Sequence, residues 1–236
     1  MIRMQANSHT QTAMHSISWL CLSLSSVLLF GSIASAEDLV PLKPKLPMAK
    51  FVGTPKETPP GTTAGAIDDK PQAPLMIPKD AVNIAPGKSI TTSDTNSSPA
   101  VLKKIVDGNK EATDDAVILL RKGRQWIQFD LGAPQEVFAI VVWHAHDVPK
   151  VYHDVVAQIA DDAAFTKNVR TIFNNDTDNS SGLGVGTDRE YFETNSGRTF
   201  DAKGEKAQFV RLYSKGNTDS SLNEYTEVEI YGRPVK

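Results

Sequence analysis

Three histidines fall close together at His144, His146 and His153, out of five in the whole chain. His144 and His146 are two apart, so an extended strand places them on one face. A turn through Pro149 would then bring His153 back toward them. Three imidazoles are enough to hold zinc. Asp147 and Asp154 would serve as partners for the outer ring nitrogens. An ion with an open fourth position would make a hydrolase. The same residues suit two plainer uses. With Asp147 and Tyr152 they could contact a ligand from a loop, or they could simply be structural. No longer zinc signature accompanies them. The set taken forward as ligand-binding is His144, His146, Asp147, Tyr152 and His153.

Other strings carry less chemistry. Gly182-Leu-Gly184-Val-Gly186 lacks the dinucleotide spacing, and no helical pattern follows it. Asp176-Thr-Asp178-Asn179 begins like a calcium loop, but the required Gly and distal Glu are misplaced. The stretch Asn174–Asp188 reads as a long polar loop, a length that often goes with function. No Gly-x-Ser-x-Gly elbow is found.

The elements that would position these residues are strands. The expected ones are Trp126–Leu131, Val137–Trp143, Tyr152–Ala160, Val169–Phe173, Ala207–Tyr213 and Glu224–Tyr231. Ile127, Phe129 and Leu131 alternate with Gln128 and Asp130, and Thr226, Val228 and Ile230 alternate with charged and aromatic neighbours. Period-two patterning of this kind buries one face of a sheet. Turn residues separate the strands at Gly132-Ala133-Pro134, Asp147-Val148-Pro149 and Lys215-Gly216-Asn217. Helical periodicity is confined to short stretches around Pro99–Ile105 and Asp162–Asn168. Many short strands with long loops predict an all-β, antiparallel sandwich or jelly roll.

The N-terminus reads as a separate piece. Ser16–Ala36 is uncharged, Arg3 lies upstream, and Ala34-Ser35-Ala36 supplies a small-x-small pattern. This predicts a secretory signal at 1–36, cleaved after Ala36, with the product secreted, periplasmic or at the cell envelope. Cys21 is the only cysteine and would leave with that signal. The remainder would then hold no disulfide and no thiolate metal site. After Ala36 there are 24 basic residues against 28 acidic ones. That balance points to neither nucleic acid nor stable membrane insertion. Segment 37–80 is rich in Pro, Lys, Thr and Gly, has no apolar period, and reads as a mostly disordered linker. The folded domain is then expected at 81–236.

Five motifs occur in order along that domain. They are Asn83-Ile-Ala-Pro-Gly-Lys-Ser, Val106-Asp-Gly-Asn109, Trp126-Ile-Gln-Phe-Asp-Leu-Gly132, Gln208-Phe-Val-Arg-Leu-Tyr213 and Glu227-Val-Glu-Ile-Tyr-Gly232. Together they resemble the discoidin or coagulation factor V/VIII type C domain, a galactose-binding-domain-like sandwich. The segments VYHDVVAQIADDAAF and FNNDTDNSSGLGVGTD also resemble those of uncharacterised secreted bacterial proteins with such a domain. The resemblance implies an eight-stranded jelly roll that binds glycans, lipid headgroups or proteins through loops at one end, without catalysis. It also implies a structural Ca2+ joining the Asp-Gly-Asn loop to the last strand. By position its ligands would be Asp107, Asn109, Thr113 and Glu227. The family usually places a Trp soon after that Thr, whereas Asp114–Leu120 intervenes here. The expectation is a non-catalytic module for carbohydrate, such as a cell-surface glycan. The alternatives are a metal-dependent hydrolase built on His144, His146 and His153, or a structural cell-envelope protein.

Overall fold

The computed structural model describes residues 37–67 and 73–236, and the expected signal segment lies outside them. β1 (Leu39–Pro41) and β2 (Met76–Pro78) form a small antiparallel ladder of their own. β3 (Val82–Asn83), β4 (Ser89–Thr92), β5 (Ile118–Leu120), β6 (Gln125–His144), β7 (Val156–Ala160), β8 (Arg170–Asn174), β9 (Arg198–Ser214) and β10 (Asn223–Pro234) make one eight-stranded antiparallel set. The only α-helix among the described residues, α1 (Pro99–Leu102), follows the N-cap Ser98 and runs into a 3-10 turn at Lys103–Val106. That matches the helical stretch expected near Pro99–Ile105. No described helix is long and apolar enough to cross a membrane.

Two long strands turn this sheet into a sandwich. The first half of β6, Gln125–Asp130, pairs with β4 and with the end of β9, which continues to β7 and β8. The second half, Gln135–His144, pairs with the start of β9 and with β10, which also carries β3 and β5. The two layers therefore share β6 and β9. Alternation sends Ile127, Phe129, Ile140, Val142, Ala157, Ile159, Val210, Leu212, Val228 and Ile230 into one buried core between them. Burial of each of these side chains except Ala157 contributes about 1.5–3 kcal/mol before chain entropy is counted.

Three expectations change. The strands expected at Trp126–Leu131 and Val137–Trp143 are one continuous strand. The turn residues between them produce a register slip between Asp130 and Gln135, with Gly132 at φ +84° taking the bend. The stretch Asp162–Asn168 is a loop. Phe165 and Asn168 have φ of +56° and +50°, and the Asp162 carboxylate collects the N–H groups of Thr166 and Lys167 at 2.9 and 2.7 Å.

The third change concerns segment 37–80. Its described residues are folded onto the sandwich, and Glu37–Lys236 forms one compact unit, so the boundary expected at 81 moves to 37. The apolar residues are few but well placed. Leu42 and Ile77 are buried with Ala139, Val141 and Trp143 on the outer face of the second layer. Further along, Ala64 joins Val151 and Phe192, with Ile67 packed beside them. Polar ties fix the path: the Leu42 N–H to the Leu75 carbonyl at 2.8 Å, Asn195 Nδ2 to the Pro47 carbonyl at 3.0 Å, and Arg233 to Asp80 and Glu136 at 2.7 Å each.

Candidate functional site

The histidines expected on a binding loop divide into two kinds. His144 is the last residue of β6, and it continues the inward row of Ile140 and Val142. It is 0% exposed, as is His146. The His144 ring stacks on Tyr152 at 4.2 Å between centroids and tilts against Tyr225 at 4.6 Å. Its Nδ1 donates to Glu193 Oε2 at 2.8 Å. His146 Nε2 donates to the Lys110 carbonyl at 2.9 Å. Only His153 reaches the surface, with a third of its side chain exposed and Nδ1 3.2 Å from Glu190 Oε1. Each imidazole faces a different partner, so the three do not converge on one ion. His144, His146 and Tyr152 are correspondingly removed from the ligand-contact set. Burial on the core side of β6 and beneath the loop is the physical reason.

Around His144 lies a buried polar frame. Tyr152 is 1% exposed, and its hydroxyl donates to the Ala145 carbonyl and to Glu224 Oε2 at 3.0 and 2.9 Å. Lys150 Nζ reaches Glu224 Oε2 and Asp147 Oδ1, both at 2.9 Å. Burial holds the Tyr152 hydroxyl far above its ordinary range, and the Glu224 and Glu193 carboxylates push it the same way. For Lys150, burial would lower the pKa, but the bonds to Glu224 and Asp147 outweigh it and raise it. Glu193, Glu224 and Lys150 had no motif to mark them. They are recognised only once the topology brings 144–153, 190–193 and 224 together.

The frame supports a surface rim. Asp147 keeps about half its side chain exposed. Beyond it are the part-exposed His153 and Lys215, each backed by a carboxylate only about a tenth exposed, Glu190 3.2 Å from His153 and Asp154 3.4 Å from Lys215. The long loop Asn174–Asp188 packs beside them in a fixed shape. Asp176 is buried and accepts the N–H groups of Ser180 and Ser181 at 3.0 and 2.8 Å, which outweigh burial and hold its pKa low. Asn175 Oδ1 takes the Val155 N–H at 2.7 Å. A side chain at Gly186 would collide with the Asn174 carbonyl, so the close approach of the two loop arms requires glycine. Carboxylate oxygens of Asp154, Asp176 and Asp178 lie within 4.8 Å of one another, with Lys215 beside them.

The residues expected to hold calcium come together in part. The Glu227 carboxylate of β10 is 1% exposed, and its Oε2 accepts the Gly108 N–H at 3.0 Å. Burial raises its pKa to about 8; the Gly108 bond and Lys110 oppose this, and the neighbouring Asp107 and Glu229 carboxylates add to it. Glu227 is buried at the base of the loop, whereas Asp107 and Asn109 are exposed. Asp107 Oδ1 also caps the Asn109 N–H at 2.8 Å, and Asn109 Oδ1 accepts from Glu111 at 3.1 Å. Thr113 does not join them. Its carbonyl serves the Ala116 and Val117 N–H groups at 2.9 Å, and its side chain is bonded to Asp115. Lys110 Nζ, itself buried, sits 2.8 Å from Glu229 Oε1 and 4.9 Å from the centre of the Trp143 ring.

No family model matches the sequence, and no curated protein matches it. Among solved structures the chain is similar to the family 89 glycoside hydrolase from Clostridium perfringens, with a TM-score of 0.47, 18% identity, and coverage of 65% of this chain but 15% of that one. It is similar to the CBM32 of AlyQ in complex with 4,5-unsaturated mannuronic acid, with a TM-score of 0.43, 22% identity, and 60% and 92% of the two chains covered. It is also similar to a fucose-binding module from Streptococcus pneumoniae, with a TM-score of 0.44, 19% identity, and 64% and 97% covered.

Proposed function

We propose that the chain is an exported, non-catalytic module that binds carbohydrate through the loop end of its sandwich. The observation that carries this reading is the division of labour at that end. His144, Tyr152, Glu193, Glu224 and Lys150 are spent on one another in a buried frame. The frame fixes a rim of hydrogen-bonding side chains at Asp147, His153 and Lys215, the last two held by the nearly buried Glu190 and Asp154, beside an ordered loop. Preorganised polar groups on a rigid scaffold suit sugar hydroxyls, because little side-chain freedom is lost on binding. The zinc-hydrolase alternative needs the imidazoles on one ion, and they face three different partners. The envelope-tether alternative needs a free arm, and the arm is packed down.

A calcium ion would be held by Asp107 and Glu227 with the Asn109 loop. It would supply the positive charge that joins the loop to the last strand, as a disulfide does in other small secreted domains. The test of the binding reading is a glycan array followed by calorimetry on the chain from Glu37 onward. His153→Ala and Lys215→Ala should each weaken binding by about 0.5–1.5 kcal/mol with an unchanged melting temperature. An array with no retained glycan, or variants that bind like the parent, would remove the proposal.

A further inference from the structure

The outer face of the first layer holds groups that the loop end does not use. Strand register aligns Thr91 of β4, Gln128 of β6, Arg211 of β9, Gln158 of β7 and Thr171 of β8 in one row across five strands. Their neighbours Phe129, Val210, Ile159 and Ile172 point to the core or pack against it. Gln128 and Gln158 are buried, and the row bonds to itself, Gln128 with Arg211 and Gln158 with Thr171, so the groups left to meet a ligand lie at its edge.

The Arg211 guanidinium lies between two aromatic rings, 4.5 Å from the centre of Trp126 and 3.9 Å from that of Phe165. Its Nε donates to Gln128 Oε1 at 2.8 Å and its Nη1 to the Tyr213 hydroxyl at 3.1 Å. Phe165 holds φ at +56° to take this position. Bulky residues rarely adopt that conformation, and strain of this kind concentrates at ligand clamps.

The charge beside this stack is unbalanced. Just before Trp126 comes the turn Arg121-Lys122-Gly123-Arg124, formed with Gly123 at φ +84°. Arg121 is neutralised by Asp94 at 2.8 Å. Lys122 and Arg124 are exposed, and Arg124 donates to the Ser181 carbonyl. Among the described residues no carboxylate lies within ion-pair distance of Lys122, Arg124 or Arg211. In a chain whose net charge is −3, a strip of three uncompensated cations around a half-buried tryptophan stands apart.

We propose that the strip Lys122, Arg124, Trp126 and Arg211 binds an acidic polysaccharide. Carboxylates spaced along the chain would meet the cations, and a pyranose ring would lie on the exposed part of the indole. The inference rests on the carbohydrate reading above and extends it to a second surface and a ligand charge. An apolar ring face with a fixed cation beside it discriminates an acidic sugar from a neutral one.

Affinity electrophoresis of the chain from Glu37 onward tests it, with three gel additives: polygalacturonate, its fully methyl-esterified form, and oligothymidylate. Polygalacturonate should retard the protein, and raising the salt from 0.05 to 0.5 M should release it. The ester should bind far more weakly. Lys122→Ser with Arg124→Ser should lower polygalacturonate affinity by about tenfold without unfolding, since both positions are exposed. Trp126→Ala should lower it several-fold, and Trp126→Phe should restore most of the loss. Equal binding of acid and ester would overturn the inference. So would equal retardation by oligothymidylate, or parent-like binding by the double variant. If a neutral glycan binds the rim but polygalacturonate does not, this inference alone fails. If neither is bound, the carbohydrate reading fails with it.

Discussion

The two outer faces of the sandwich are treated in opposite ways. On the second layer, Ala139, Val141 and Trp143 point away from the core, and the chain covers them with its own N-terminal arm through Leu42 and Ile77. On the first layer, Gln128, Arg211 and Gln158 point outward, but Gln128 and Gln158 are buried and the short loop carrying Ala163 and Phe165 reaches over Arg211. One face is closed by apolar packing and belongs to stability. The other keeps the cations Lys122 and Arg124 and a partly exposed ring at its edge, where the acidic-glycan proposal lies. The difference follows from side-chain chemistry alone. An exposed row of Ala, Val and Trp would leave a large apolar patch in water, whereas the amide and guanidinium row is satisfied by its own hydrogen bonds and the Ala163 carbonyl.

The largest expected effect is on the covered face. Ile77→Asp places a charge against Val141 and Trp143 and should destabilise the protein by about 3–5 kcal/mol. Arg211→Lys on the open face should cost about 1 kcal/mol. Urea denaturation of the two variants gives the ratio directly. If the Ile77 variant is as stable as the parent, the arm does not seal that face, and the contrast between the faces disappears. Trp143 adds a second constraint. A side chain at Gly197, which has φ +63°, would meet the indole ring, so Gly197→Ala should also destabilise the covered face.

His144→Ala comes next. It removes a ring packed between Tyr152 and Tyr225 and leaves Glu193 buried without its partner, so about 2–4 kcal/mol should be lost. His153→Ala should change stability by less than about 0.5 kcal/mol. Equal melting temperatures for the two variants would contradict the buried frame. This pair also shows how much of the site could be read from sequence. Alternation through Ile140 and Val142 already sends position 144 inward, but ending the strand at Trp143 put His144 in a loop. His146 lies beyond the strand, and its burial depends on Lys110, which is distant in sequence. The sandwich itself was legible because period-two patterning is local. The arm was not, because a few apolar residues among prolines give no period, and their partners lie on a face assembled from distant strands. Motif order brought the Asp107–Asn109 loop beside Glu227, as the Gly108 bond to its carboxylate shows, whereas where the Thr113 side chain goes is decided by local bonds that spacing cannot report.

A smaller effect concerns Glu227, in protein treated with chelator. Its folded pKa of about 8 lies above the ordinary value of 4.5, so between those values the folded state holds a proton that the unfolded chain releases. Its stabilising contribution is present below pH 4.5 and is lost as pH rises to about 8. Stability should therefore fall across that window, and Glu227→Gln should flatten the slope. Adding calcium should reverse the trend in the parent, because an ion favours the ionised carboxylate, and should leave the glutamine variant unmoved. A parent whose melting temperature is independent of pH and calcium across this window would remove Glu227 as a cation ligand.

The smallest expected effect tests the open face most finely. Phe165 sits in the left-handed region, which costs an ordinary residue about 1–2 kcal/mol. Its stacking on Arg211 returns about 0.5–1 kcal/mol, or more where water is excluded. Phe165→Ala loses the stacking and keeps the strain, so it should be modestly destabilising. Phe165→Gly loses the same stacking but relieves the strain, against a greater entropy loss on ordering glycine. The glycine variant should therefore be more stable than the alanine variant, and close to the parent. Thermal melts of the three proteins under one condition decide it. An alanine variant more stable than the glycine variant would mean that position 165 is not held at positive φ. The Arg211 stack would then be an incidental contact, and the open face would lose the fixed clamp that sets it apart from the covered one.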